Sequence, residues 1–162
     1  MYLYHGTPVS FTVPSLSFCK PYRDFGCGFY LTPNYFDALP MAIKHSTAGF
    51  IQTYTVKDLG GLSVLEFAGY SEAWLRVVAS RLGYTSTEYD LVIGNMAGGG
   101  ANLKSKFSKF RRASMSIAEV MSIMKHDLTS TNLGLQYAFL TEKALSKLTL
   151  IDTEMVERED AV

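Results

Sequence analysis

Apolar and polar positions change their spacing several times along the chain, and the changes outline a mixed α and β domain. Residues 2–5 and 28–32 are short aromatic and aliphatic runs of the kind that form strands. Residues 50–56 alternate around Thr53, Tyr54 and Thr55, and residues 62–67 follow the turn Asp58-Leu59-Gly60-Gly61; both predict strands. Leu91-Val92-Ile93 reads as a buried strand before Gly94, and residues 135–140 and 148–151 read as two more, with a short helix at 142–147 between them.

Helical spacing appears three times. Over 34–45, Phe36, Leu39 and Ile43 recur near one helical face, with Thr32 as N-cap, Pro33 at the first helical position and Pro40 as an internal kink or stop. Over 71–82, Ser71 caps a helix whose stripe is Trp74, Leu75, Val78 and Leu82, and Gly83 ends it. Over 116–124, Ile117, Val120, Met121 and Met124 share a side. No repeat or linker divides the chain, so one domain over 1–152 is expected. The acidic residues of 153–162 read as a mobile tail.

Composition narrows the function classes. A chain of 162 residues can bury a sizeable core. Its 15 Lys and Arg balance 15 Asp and Glu, which argues against a whole-protein attraction to nucleic acid. No apolar run approaches the ~20 residues that span a bilayer, and no secretory pattern opens the chain. Cys19 and Cys27 lack metal-site spacing, so no metal centre is expected. They read as reduced thiols in a cytoplasmic protein, with a local disulfide as the alternative. Charge is nevertheless local. Lys104, Lys106, Lys109, Arg111 and Arg112 interleave with Phe107 and Phe110. That run is either a solvated helix face with two core aromatics or a surface for an acidic partner or RNA. Gly98-Gly99-Gly100 lacks a following Gly-Lys-Ser/Thr, which leaves a loop and not a nucleotide P-loop.

Two glycine motifs carry the candidate chemistry. Tyr22 to Thr32 reads Y-R-D-F-G-C-G-F-Y-L-T, and the N-terminal strand ends in His5-Gly6-Thr7. Gly26 and Gly28 let the backbone bend and another group approach, because neither has a Cβ. Taken singly, His5 reads as a structural hydrogen-bonder, Tyr30 as a core aromatic, and Arg23 and Asp24 as a surface pair.

Together these motifs resemble the ADP-ribosyltransferase-like superfamily, in which a strand-end His-Gly-Thr and a later Gly-Phe-Tyr-Leu-Thr build a nicotinamide pocket. The likeness is closer to a bacterial family of small proteins and runs on through Tyr89-Asp90-Leu91-Val92-Ile93-Gly94, Leu135-Gln136-Tyr137-Ala138-Phe139 and Thr141-Glu142-Lys143-Ala144-Leu145. The resemblance implies an α+β fold: two packed, mainly antiparallel sheets around an NAD cleft, with flanking helices. It implies NAD as substrate and mono-ADP-ribosyl transfer, with nicotinamide released and ADP-ribose passed to a macromolecule or to water. His5, Tyr30 and Gln136 would be catalytic: His5 anchors the ribose, Tyr30 stacks the nicotinamide and Gln136 orients the ribose or the acceptor. His5, Gly6, Thr7, Asp24, Gly28, Tyr30 and Met41 would contact NAD, with the Gly6 backbone paired to the carboxamide. His5, Gly6 and Tyr30 should line one cleft. Such small transferases include toxin-like proteins of bacterial and phage conflict.

The chain departs from the superfamily pattern at Gln136, where a glutamate is usual, and at Met41, where an aromatic is frequent. It also carries N-M-A-G-G-G-A-N where the closer family tends to Ala-Asp-Asp. An amide cannot stabilise a developing cation as a carboxylate does. The second expectation is therefore an inactive fold kept as a ligand- or partner-binding module. On the enzymatic expectation Gln136→Glu raises NAD turnover. Strand alternation predicts Leu135, Tyr137 and Phe139 toward the core and Gln136 toward the cleft.

Overall fold

The computed structural model describes residues 1–161, apart from 82, 86, 98–100 and 123–133. Among the described residues seven strands are arranged in two sheets. In the first, β1 (Tyr2–Thr7), β3 (Ala48–Val56) and β7 (Leu148–Glu157) run antiparallel in the order β1-β3-β7. In the second, β2 (Phe29–Leu31), β6 (Leu135–Phe139), β5 (Leu91–Asn95) and β4 (Val64–Glu66) follow the order β2-β6-β5-β4. Only the β4–β5 pair is parallel. The helices are α1 (Tyr35–Ala42), α2 (Glu72–Ser80), α3 (Ala101–Arg111), α4 (helical at 117–122) and α5 (Glu142–Leu145). The chain is thus α+β with two mostly antiparallel sheets.

Apolar side chains order these elements into layers. Leu3 and Tyr54 of the first sheet meet Leu91, Ile93 and Phe139 of the second in one buried cluster. Val92 and Ala138 face the other way and join Trp74, Leu75 and Val78 of α2 and Phe107 of α3. Ala38, Leu39 and Ala42 of α1 close the outer face of the first sheet over Ile51 and Val156. The second sheet is therefore covered on both faces. Gln136, Ala138 and Leu140 are as buried as Phe139, so β6 has no single core-facing side as expected from alternation.

Capping explains where several helices begin. Ser71 accepts from the Trp74 amide at 3.2 Å, as its sequence position predicts. The first helix starts later than expected. Asn34, not Thr32, is its N-cap and accepts from the Phe36 amide, while Thr32 is still extended and bonded to β1. The helix then stops at Ala42, two residues after Pro40. Arg81 caps α2 in the left-handed region, ahead of Gly83.

Two further expectations are corrected. Residues 153–157 are not a tail: β7 continues to Glu157, paired through Glu157 with Ala48, and a 3-10 turn follows over Arg158–Ala161. Cys19 and Cys27 are not free thiols but form a disulfide with Cα atoms 5.2 Å apart. The chain from 17 to 28 folds back on itself, which brings the two sulfurs together. The cysteines therefore no longer speak for a reducing compartment. Among the described residues no helix is long and apolar enough to cross a membrane.

Candidate functional site

The two sheets touch at a seam between β1 and β2, and the seam is short. Tyr4 and Thr32 exchange both backbone bonds, at 2.8 and 2.9 Å, in an isolated bridge. In an antiparallel strand, residues facing one neighbour alternate with those facing the other. Tyr4 faces β2, so the Gly6 amide and carbonyl turn to the same side and away from β3. The ladder does not continue there: β1 and β2 part beyond the single bridge. The parting leaves a gap edged by a backbone donor and acceptor from one residue.

Gly6 is needed at this point for a steric reason. A Cβ on Gly6 would lie 2.0 Å from the Ala38 carbonyl oxygen and 2.8 Å from the Ala42 amide. A Cβ on Gly49 of β3 would lie 2.1 Å from the Ala42 carbonyl oxygen. The small residues Gly6, Gly49, Ala38 and Ala42 let α1 lie directly on the strands and frame one side of the gap.

His5 and Tyr30 lie on either side of the parting. The His5 ring stacks on Phe29 at 4.3 Å and meets Phe11 at 5.8 Å. Phe29 packs between the sheets, whereas Tyr30, next along β2, packs against the α2 side. The two side chains thus leave the seam on opposite sides and do not line one cleft with Gly6 as expected. They are still one hydrogen bond apart, because His5 Nδ1 lies 2.8 Å from the Tyr30 carbonyl oxygen. A carbonyl only accepts, so Nδ1 carries the proton. Burial lowers the His5 pKa, which favours the neutral ring and leaves Nε2 as an acceptor. Nε2 can therefore accept a hydrogen bond but not donate one.

The Tyr30 hydroxyl is committed to its own loop. It donates to the Gly26 carbonyl at 2.8 Å and accepts from the Phe25 amide at 3.0 Å. Desolvation raises its pKa far above the usual phenol range. The ring is pinned by these two bonds.

Gln136 and Asp24 form the polar floor on the Tyr30 side of the second sheet. Gln136 follows the same strand face as Ala138, the cross-strand partner of Tyr30. Its Nε2 donates to Asp24 Oδ2 at 2.8 Å and lies 3.4 Å from the Asn95 carbonyl oxygen. Asp24 also accepts from the Ala97 amide at 3.0 Å. It is therefore not paired off with Arg23 on the surface. Burial raises its pKa, against the opposing pull of the Ala97 and Gln136 bonds.

The remaining expected residues do other work. The Thr7 hydroxyl closes a local turn with Val9, donating to its carbonyl and accepting from its amide. Gly28 makes room for Leu140: a Cβ there would lie 2.7 Å from Leu140 Cδ2. Met41 is half exposed on α1 and belongs to none of the packed clusters. In the basic run, Phe107 is buried and Phe110 packs beside it, while Lys109, Arg111 and Arg112 are exposed. The side chains of Lys104 and Lys106, and Gly98 to Gly100 and Met124, lie outside the described residues.

Sequence reasoning gave Asp90 no role, although it ties three elements together. Its carboxylate accepts from the Ser63 amide at 2.9 Å, the Thr141 hydroxyl at 2.7 Å and Lys143 at 3.3 Å, and these bonds lower its pKa. Thr141 in turn caps α5. The hints were its place in the Tyr89–Gly94 motif and immediately before an apolar strand.

A groove of about 420 Å³ also lies beside the disulfide, lined by Leu16, Tyr22, Gly26, Arg81, Tyr84 and Leu140 among others. It does not include His5, Tyr30 or Gln136 and is separate from the seam.

No curated protein and no solved structure matches the chain. A family described as "Protein of unknown function (DUF3990)" matches residues 1–150, nearly its whole length. The His-Gly-Thr strand, the glycine loop, the Asp90 strand and the Gln136 strand all fall within that match, and the chain belongs to the DUF3990 family.

Proposed function

We propose that this protein has an ADP-ribosyltransferase-type fold and binds NAD at the gap between β1 and β2, acting as a mono-ADP-ribosyltransferase. The observation that carries the reading is the broken ladder beyond Tyr4 and Thr32, which turns the Gly6 amide and carbonyl to an open edge. A primary carboxamide offers an N–H donor and a carbonyl acceptor to match them. The Tyr30 ring, fixed through its hydroxyl, supplies a stacking face beside that edge. Gln136, on the Tyr30 side, reaches the ribose from the floor, and His5, on the other side of the seam, holds the Tyr30 carbonyl through Nδ1. Met41 contributes little to the pocket from its exposed position. The C1′–N1 glycosidic bond breaks and its electron pair leaves with neutral nicotinamide. Water or an acceptor hydroxyl then bonds to C1′ and releases a proton to solvent.

Calorimetric titration with NAD, followed by mass spectrometry for nicotinamide, tests this. Saturable binding that is weakened by Tyr30→Ala, with nicotinamide released, is the expected result. Absence of binding overturns the reading. The neutral amide at Gln136 favours one alternative, a binding module without turnover, and binding without nicotinamide release would select it.

A further inference from the structure

Position 136 carries an amide, yet the charge that an amide lacks lies next to it. Asp24 is 112 residues away in sequence, and its Oδ2 accepts from Gln136 Nε2 at 2.8 Å. The Ala97 amide, in the loop after β5, holds the same oxygen at 3.0 Å. Two N–H donors from two different elements thus fix one carboxylate beside the side chain of Gln136. A carboxylate only accepts, so it selects the Nε2 end of the amide. Oε1, which makes no hydrogen bond among the described residues, is thereby turned away from Asp24. Gln136 itself is 8% exposed, so its amide has little freedom to choose another orientation.

We infer that Asp24 is a positioning residue for the transfer reaction: it orients the Gln136 amide toward the ribose hydroxyl and supplies, through that amide, the negative charge that stabilises the oxocarbenium ion. The inference rests on the NAD reading above. Asp24 polarises the amide by accepting its N–H, so Oε1 becomes a better acceptor for the hydroxyl. The carboxylate lies in a partly desolvated site, where a fixed charge acts more strongly than in water. The pair Asp24–Gln136 divides between two side chains what one carboxylate does elsewhere.

The geometry reverses the simplest expectation for Gln136→Glu. A carboxylate there would face Asp24 at hydrogen-bonding distance, and two such groups cannot both ionise. The single substitution should lower turnover, not raise it. Asp24→Asn with Gln136→Glu exchanges the two groups, keeps both chain lengths and restores one charge with one amide donor.

The test is steady-state nicotinamide release at fixed pH by the wild type, Asp24→Asn, Gln136→Glu and the exchanged pair, with NAD affinity measured by calorimetry on each. Folding is checked by thermal melting. Asp24→Asn should reduce kcat by about tenfold to a hundredfold with KM little changed. The exchanged pair should recover most of that loss. A merely structural Asp24 would give no such rescue and no such split between kcat and KM. Unchanged kcat in Asp24→Asn, or no recovery in the exchanged pair, overturns the inference and leaves the NAD pocket standing. NAD binding without turnover by the wild type does the same. No NAD binding by any form overturns both.

Discussion

The two glycine motifs look alike in sequence and are used differently. Gly6 sits in a strand at the edge of its sheet, and Gly26 and Gly28 sit in the loop before β2, Gly26 buried and Gly28 half-buried. At Gly6 the missing Cβ admits the backbone of α1, while the amide and carbonyl point along the sheet to an unpaired edge. At Gly26 the backbone groups are consumed. Its amide donates to Arg23, its carbonyl accepts from Tyr30, and its Cα lies against Gly83. Its φ of 106° is a conformation that L side chains rarely adopt. A glycine on an edge strand can thus serve packing and recognition together, because its Cβ direction and its hydrogen-bonding direction are perpendicular. A glycine inside a folded loop serves packing alone.

Gly6→Ala should break this contrast most severely. The new methyl would meet backbone atoms of Ala38 and Ala42, which cannot move without shifting the helix. A loss of about 3 kcal/mol or more is expected, read as a lower urea midpoint. Gly28→Ala meets the flexible end of Leu140 first and should cost about 1 kcal/mol. Equal losses would mean that α1 is not seated on Gly6.

The disulfide gives the next largest effect and belongs to the loop motif. Closing a loop of eight residues' separation removes unfolded-state entropy worth about 2.5 kcal/mol in the chain-entropy estimate. Cys19→Ser with Cys27→Ser should lower stability by roughly that amount. NAD affinity should be retained, since Tyr30 is held by Phe25 and Gly26 and not by the bridge. A large loss of affinity at unchanged stability would show instead that the bridge itself positions Tyr30.

His5 and Asp24 separate the two sides of the seam by pH. Burial lowers the His5 pKa in the fold, so its neutral ring stabilises the protein above the unfolded value of about 6.5. That contribution is lost as pH falls through the lower folded value, with a slope of up to about 1.4 kcal/mol per pH unit. His5→Gln should flatten the loss between pH 6.5 and more acidic values. Asp24 acts in the opposite sense, because its folded pKa is raised. Its contribution is greatest below the unfolded carboxylate value and is lost as pH rises through the folded one. Asp24→Asn should therefore leave stability at neutral pH equal or higher. A steep acid loss that survives His5→Gln would place the titrating group elsewhere.

Much of this arrangement was legible from residue order, and the reasons for the rest are physical. Ser71, Trp74, Leu75 and Val78 fixed α2 because cap and stripe are both local. Thr32 misled because Thr-Pro is a good helix start, yet its backbone is held by Tyr4, a partner far off in sequence. The acidic residues after Asp152 resembled a tail because a strand exposed on most of its length has no apolar alternation to betray it. At the site, the residue types were visible but their partners were not. Nothing in the spacing of Asp24 and Gln136 announces a contact across 112 residues. The disulfide was one of two readings of Cys19 and Cys27, and only the fold-back of the loop decides between them.

The basic face should show the smallest effects and marks the limit of what charge alone implies. Arg111 is anchored: its Nη1 donates to the Ala79 carbonyl at 2.9 Å, near the end of α2. Lys109 is exposed on the same helix. Arg111→Ala should cost about 1 kcal/mol by leaving that carbonyl without its donor. Lys109→Glu should change stability by less than about 0.5 kcal/mol. If an acidic partner is steered here, Lys109→Glu together with Arg112→Glu lowers its association rate and flattens the salt dependence. The range of that steering is a Debye length, ~8 Å at physiological salt. Calorimetry with NAD would be unaffected by either charge reversal, because the helix presents its aromatics to the core and its charges away from it. A change in NAD affinity would show instead that α3 reaches the seam, and would make the basic face part of the pocket.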